Sequence, residues 1–260
     1  MTHISAILNV HCEGDLARGS LLSIAEARRI AEAAGIAVEV LAVADCSDRA
    51  TLDVLAGSAG VRVLECGFRD LGQARNAGVA AAAGRYVAFL DGDDLWGPNW
   101  LRKAYEAAIA EPRAVVWHPE ANLYFGPEHE PSWLIHPDAE TIEGDWVALG
   151  VRNQWTSLSF ALRDTYSKIP YPSNDLAAGF GKEDWSWNSE VVAHGYLHKP
   201  VPDTAHLIRV REGSLLRRTD MVNALMTPST LLRSRIGWAA RVGSVGVAAP
   251  NANGYAPRIA

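Results

Sequence analysis

Three carboxylates close a run of strand-forming residues: Tyr86-Val87-Ala88-Phe89-Leu90 leads straight into Asp91-Gly92-Asp93-Asp94. Ligands of an α/β sheet bind beyond the carboxyl ends of its strands, so these side chains stand where a cation could sit. Asp91 and Asp93 are two apart, and Gly92 lets the backbone bend so that both turn toward one point. Hard divalent cations such as Mg2+ or Mn2+ take oxygen ligands of this kind, with substrate phosphates completing the shell. The same residues also fit an acidic turn that caps a helix starting near Pro98. A second pair, Glu183-Asp184, opens a helical stretch. There the unpaired N–H groups and the dipole favour an ionised carboxylate, the form a proton acceptor needs. Helix stability alone is the other explanation of acidic residues in a first turn. From His206 onward, arginines that include Arg209, Arg211, Arg217 and Arg218 outnumber Glu212 and Asp220. That excess suits an anionic ligand or a solvated basic face.

The elements that must position these groups read as alternating strands and helices. Ile4 to Val10 is an apolar strand; Leu16 to Ala34 is an alanine-rich helix stopped by Gly35; Ile36 to Ala44 is a second buried strand ending at Asp45. A short helix, the strand Val61 to Leu64, and a helix from Asp70 to Ala83 lead to the Tyr86 strand. Alternation up to about residue 117 predicts a parallel sheet with flanking helices. Neither a GxGxxG fingerprint nor a P-loop is present. Residues 118 to 145 lose periodicity, and an edge hairpin is expected around Leu123-Tyr124-Phe125. Trp155 to Leu162 reads as a strand, Gly179 to Gly195 as a helix, and His198 to Val201 and Ala205 to Val210 as two short strands. A helix from Thr227 and a Gly, Ala and Asn-rich tail from Gly243 end the chain.

Composition bounds the function classes. The 260 residues are 48% hydrophobic and 21% charged, and the formal charge of −6 gives no reason to expect nucleic-acid binding. Cys12, Cys46 and Cys66 show no CxxC spacing, which fits a reducing compartment and argues against a zinc site. The N-terminus MTHISAILNV lacks a basic region and a long apolar run, so no signal peptide is expected. No apolar stretch reaches membrane-spanning length, and a soluble, cytoplasmic protein is expected.

Four stretches, in order, resemble the family 2 glycosyltransferases of the GT-A fold. EVLAVADCSD is similar to the second-strand motif that usually ends Asp-Asp-Gly-Ser, with Ala44 in place of its first Asp and Cys46 in place of its Gly. DLGQARNAGVAAAAGRYVAFLDGDD is similar to the segment leading into the metal-binding Asp-x-Asp, and GKEDWSW to the Glu-Asp motif at a helix start. HLIRVREGSLLR resembles the late strand and arginine-rich loop that close over the donor diphosphate. The resemblance implies an α/β, Rossmann-like three-layer α/β/α sandwich with a mainly parallel central sheet. Residues 1–118 would form a nucleotide-sugar-binding half, 119–220 the acceptor and catalytic half of the same domain, and 221–260 a C-terminal helix and flexible tail.

The resemblance also implies roles. Asp45 would hydrogen-bond the base or ribose, and Arg75 would reach the base or diphosphate. Asp91 and Asp93 would bracket the ribose and the metal-bound diphosphate, with Mn2+ or Mg2+ as the cofactor; Asp94 would cap the next helix. Asp184 would be the catalytic base, with Glu183 holding the loop or touching the acceptor. Arg211 and Arg217 would contact the diphosphate, and His206 is either a further metal ligand or a strand residue. Trp185 and Trp187 fit either stacking on a sugar or core packing. A nucleotide-diphosphate sugar, UDP favoured, would then be transferred with inversion to a hydroxyl of a glycan, protein or small molecule. Alternatives are a sugar-1-phosphate nucleotidyltransferase, a retaining GT-A transferase, and a non-catalytic carbohydrate-binding module.

Overall fold

The structure, a computed structural model, describes residues 1–141, 146–212, 219 and 221–233. Its first part alternates as the periodicity implies: β1 (Ile4–Val10), α1 (Leu16–Ala33), β2 (Val38–Asp45), α2 (Arg49–Ala56), β3 (Val61–Cys66), α3 (Leu71–Ala81) and β4 (Tyr86–Asp91). Beyond the acidic turn come β5 (Leu95–Trp96), α4 (Trp100–Ala110), and a hairpin of β6 (Val115–Gly126) and β7 (His129–Ile135). The remaining elements are α5 (Trp146–Leu149), β8 (Phe160–Leu162), α6 (Arg163–Lys168), β9 (Phe180–Gly181), α7 (Glu183–Ala193), β10 (Leu197–Arg209) and β11 (Leu225–Met226).

The large sheet runs β3-β2-β1-β4-β8-β6-β10-β5, with β7 added to β6. β1 to β4 pair in parallel, as do β6 and β10, whereas β5, β7 and β8 run antiparallel to their neighbours. Every residue of β1 is buried, as expected for a strand covered on both faces. One face packs on α1, α2 and α4 through Ile24, Val54, Leu55, Trp100 and Leu101. The other packs on α3, α6 and α7 through Val79, Tyr166, Trp187 and Val191. The three-layer sandwich with a mainly parallel sheet is therefore observed.

Three expectations are revised. The stretch Trp155 to Leu162 is a strand only at Phe160–Leu162, because just before it the chain turns tightly, the Ser159 N–H donating to the Ser157 carbonyl at 2.8 Å. His198 to Val210 forms one long strand, kinked by a register shift between Val201 and Ala205, rather than two. The stretch Gly179 to Gly195 is helical only at Glu183–Ala193, and Phe180–Gly181 before it forms β9, which pairs in parallel with β11. Of the helix expected from Thr227, residues 230–233 are helical and the rest beyond 233 lies outside the described residues, as does the tail from Gly243. Among the described residues, no helix is long and apolar enough to cross a membrane.

Candidate active site

The carboxyl ends of β1, β2 and β4 share one edge of the sheet, since Val10 pairs with Ala44 and Asn9 with Asp91. The turn Gly92–Asp94 then leads into β5, which pairs antiparallel with β10 through Trp96 and His206. That pairing carries Arg209 and Arg211 back against a turn more than a hundred residues earlier. Gly92 is required by space: a Cβ there would lie 2.9 Å from Val10 Cγ1 and 3.0 Å from the Asn9 carbonyl.

Arg75, on α3, is the centre of the first cluster and is 1% exposed. Its Nη2 donates to both Asp91 carboxylate oxygens, at 3.1 and 3.2 Å, and to Ser157 Oγ at 2.9 Å. Its Nη1 donates to Glu183 Oε1 at 2.7 Å. The guanidinium also lies over the Tyr171 ring, 5.3 Å from its centroid. A buried cation with this many charged partners ties the end of β4 to the start of α7. α3 approaches α7 closely enough that a Cβ on Gly72 would lie 2.4 Å from the Pro172 carbonyl and 3.4 Å from Glu183 Cγ.

Arg211 is the centre of the second cluster. Its Nε donates to Asp93, and its Nη2 to Glu13 Oε1 at 3.2 Å. Here the guanidinium is one-third exposed. Arg209 donates from its backbone N–H to Asp94 Oδ1 at 2.7 Å and from Nε to the Asp93 carbonyl at 3.1 Å. Asp94 is thus a buried acceptor for β10 and does not cap α4, whose N-terminal flanking residue is Asn99. Burial, and then Asp93 and Asp91, push its carboxyl well above the usual range; burial likewise raises Asp91 and Glu13.

Asp184 follows Glu183 in the first turn of α7. Its Oδ2 accepts from Asn153 Nδ2 at 2.9 Å and its Oδ1 from the Trp185 N–H at 2.8 Å. Burial first, and Glu183 second, push its pKa up to about 7. Lys182, just before the pair, has left-handed backbone (φ 59°), an uncommon state for a residue with a side chain and one enriched at functional sites. Tyr124 of β6 feels both Asp184 and Asp94, and burial with those charges pushes its phenol up to about 12. The arrangement gathers six carboxylates and three arginines near one sheet edge, and one of those carboxylates, Asp184, has its pKa pushed up to about 7.

The chain matches the family model "Glycosyl transferase family 2" over residues 5–169. It belongs to glycosyl transferase family 2. It is 44% identical over 79 residues to succinoglycan biosynthesis protein ExoO of Rhizobium meliloti (strain 1021), covering 29% of this chain and 23% of ExoO. With ExoM of the same organism it shares 25% identity over 149 residues, 54% of this chain and 48% of ExoM. The chain therefore spans less than half the length of either relative. Among solved structures it is similar to S. aureus TarS 1-349 in complex with UDP-GlcNAc: TM-score 0.60, 18% identity, 83% of this chain and 61% of that one. It is also similar to mannosyltransferase PcManGT from Pyrobaculum calidifontis in complex with GDP-Man and Mn2+: TM-score 0.59, 15% identity, 95% of this chain and 76% of that one. These likenesses establish the GT-A fold.

In this family 2 chain, Asp91, Asp93, Arg75, Glu183, Asp184 and Arg211 converge, whereas Asp45 and His206 take other partners. Asp45 has both oxygens occupied by backbone N–H groups, Phe68 and Arg69 on Oδ1 and Asp70 on Oδ2, so it shapes the loop after β3. His206 is fully buried, its ring edge-on to Trp100 at 4.7 Å, and its recorded ring contacts are indoles. His206 is a residue of the long strand β10, paired with Trp96 of β5. Arg217, with Gly213 and Ser214, lies outside the described residues. Trp187 is core, stacked on Tyr166 and Tyr171, and Trp185 donates to the Leu149 carbonyl at 2.7 Å. Sequence reading missed Glu13, Tyr124, Asn153 and Ser157; none lies in a spaced motif, and only the polar turn after β1 hinted at Glu13.

The donor chemistry suits a hard cation. Carboxylate oxygens are the only candidate ligands at the turn, and one or two carboxylates with substrate phosphates suffice for Mg2+ or Mn2+. Among the described residues no group of three or more His, Cys, Asp or Glu side chains is arranged to hold an ion unaided.

Proposed function

We propose that this chain transfers a sugar from a nucleotide-diphosphate donor, UDP favoured, to an acceptor hydroxyl, by direct displacement with inversion. One observation carries the reading: the Asp91–Asp93 turn, Arg211 and the half-buried Asp184 face a common edge from separate elements. The acceptor oxygen attacks the anomeric carbon while its proton passes to Asp184. The bond from that carbon to the β-phosphate oxygen breaks, and the leaving diphosphate keeps the electron pair. Arg211, freed from Asp93, stabilises that developing charge. A divalent ion held by Asp93 and Asp91 would supply further stabilisation of the diphosphate. Glu183 is held by Arg75 beside the base and acts through position. A pKa near 7 leaves about half of Asp184 ionised, and so able to accept a proton, at neutral pH. The UDP-GlcNAc, UDP and GDP-Man complexes of similar structures support a nucleotide-sugar donor, and the Mn2+ in one supports the ion.

Thermal shift with UDP, GDP, dTDP and ATP, each with and without Mn2+, tests donor class; stabilisation by a diphosphate only with metal is expected. Asp184→Asn should then lower nucleotide release by roughly two to four powers of ten, with donor affinity retained. Wild-type turnover in the Asn variant removes the base and the inverting assignment together.

A further inference from the structure

Asn153 lies in the irregular stretch before β8, and none of the family-like stretches includes it. Its Nδ2 donates to Asp184 Oδ2 at 2.9 Å. Its Oδ1 accepts from Asn188 Nδ2 at 2.9 Å. Asn188, one turn further along α7 and 1% exposed, also donates from Nδ2 to the Trp155 carbonyl at 2.7 Å.

The direction of every hydrogen bond in this chain is decided by its far end. A main-chain carbonyl only accepts, so the atom of Asn188 facing Trp155 must be the NH2. The other hydrogen of that NH2 meets Asn153, whose facing atom must then be its oxygen. The Asn153 amide therefore presents its NH2 to Asp184. A donor aimed at a carboxylate favours the ionised form. Against it stand burial and the neighbouring Glu183 and Asp91, which favour the protonated form, while Arg75 opposes them.

We propose that Asn153, locked by Asn188, is the positioning residue that holds the Asp184 carboxylate in one orientation and favours its ionised form for the transfer. The catalytic part rests on Asp184 being the base; the effect on its protonation does not. Asn153 thereby links the segment before β8 to the first turn of α7. The Trp185 N–H on the other oxygen fixes the plane of the carboxylate. One Asp184 oxygen therefore faces the amide and the other the helix end, and the remaining lone pairs are those left to accept the proton.

The test uses the full chain in two variants, Asn153→Ala and the isosteric Asn153→Asp, with melting temperature reporting that each is folded. The pKa of the Asp184 carboxyl is read by carbon-13 NMR titration. Loss of one donated hydrogen bond should raise it by roughly one pH unit in Asn153→Ala. A second carboxylate at that place should raise it further in Asn153→Asp. The acid limb of nucleotide release from UDP-GlcNAc or GDP-mannose should move by the same amount, with the rate recovering at higher pH. An Asp184 pKa that stays at its wild-type value in both folded variants overturns the proposal. A rate loss in Asn153→Ala that is equal at every pH also overturns it, since that is the mark of a merely structural role. Failure of the base assignment is seen separately: Asp184→Asn would then turn over normally, whatever Asn153 does to the Asp184 titration.

Discussion

Two arginine–carboxylate clusters flank the same acidic turn, and they differ in what surrounds them. Arg75 is 1% exposed and holds Asp91, Glu183 and Ser157, drawn from three separate segments. Arg211 is one-third exposed and holds Asp93 and Glu13 near the mouth of the site. Water reaches the Arg211 guanidinium but hardly that of Arg75, while Glu13 and Asp93 are themselves largely buried. A buried pair whose partner is removed leaves an uncompensated charge, whereas an exposed pair exchanges its partner for water at small cost. The difference teaches a division of labour. Under the proposed transfer, Arg75 would stay where it is, and Arg211 would exchange Asp93 for the oxygens of a diphosphate.

The largest effect should follow from breaking the buried cluster. Arg75→Ala strands Asp91 and Glu183 and should lower unfolding free energy by about 3–5 kcal/mol, read from urea melts. A loss below 1 kcal/mol would make the two clusters equivalent and end the comparison.

Next in size is a proton-linked effect at Asp184, beside the buried cluster. Its folded pKa of about 7 exceeds its ordinary 3.8, so between those values the native state binds more protons than the unfolded one. Ionising it therefore costs stability as pH rises from about 4 to 7, and no more above that. Asp184→Asn, which carries no proton to lose, should gain on the wild type across that window by at most about 1.4 kcal/mol per pH unit. A stability difference that is flat from pH 4 to 7 would place Asp184 in water instead.

The smallest change in stability should come from Arg211→Ala, about 1–3 kcal/mol, since the guanidinium is partly exposed although it leaves Glu13 and Asp93 without a partner. Its donor affinity should nevertheless fall, and the wild-type affinity should weaken with salt more steeply than the variant's. Calorimetry at two salt concentrations separates these outcomes; unchanged affinity in the variant would mean that Arg211 is only a surface ion pair of Asp93.

Local patterning carried much of this molecule. The fully buried β1 and the amphipathic α1 are written in spacings of a few residues, and their ends fall within two positions of expectation. The Asp91–Asp94 turn was likewise legible, because a strand end is a local feature and carboxylates there have few neighbours within the chain's own reach. Which partner each charged group takes was not legible. Arg75 pairs with Glu183 across 108 positions, Asp94 with Arg209 across 115, and Asn153 with Asp184 across 31. Such pairings depend on how β5 returns to β10 and how α3 meets α7, which local periodicity does not encode. Asp45 shows the limit from the other side. Its type and strand-end position match a donor contact, yet the loop after β3 folds back and occupies both of its oxygens with N–H groups. The sequence by itself determined the layers, the parallel core and the acidic strand end, since those follow from burial periods of two and 3.6 residues. The tertiary structure alone decided which arginine is buried, which is partly exposed, and which carboxylate is left near neutrality, because each depends on solvent access and on partners supplied by distant segments.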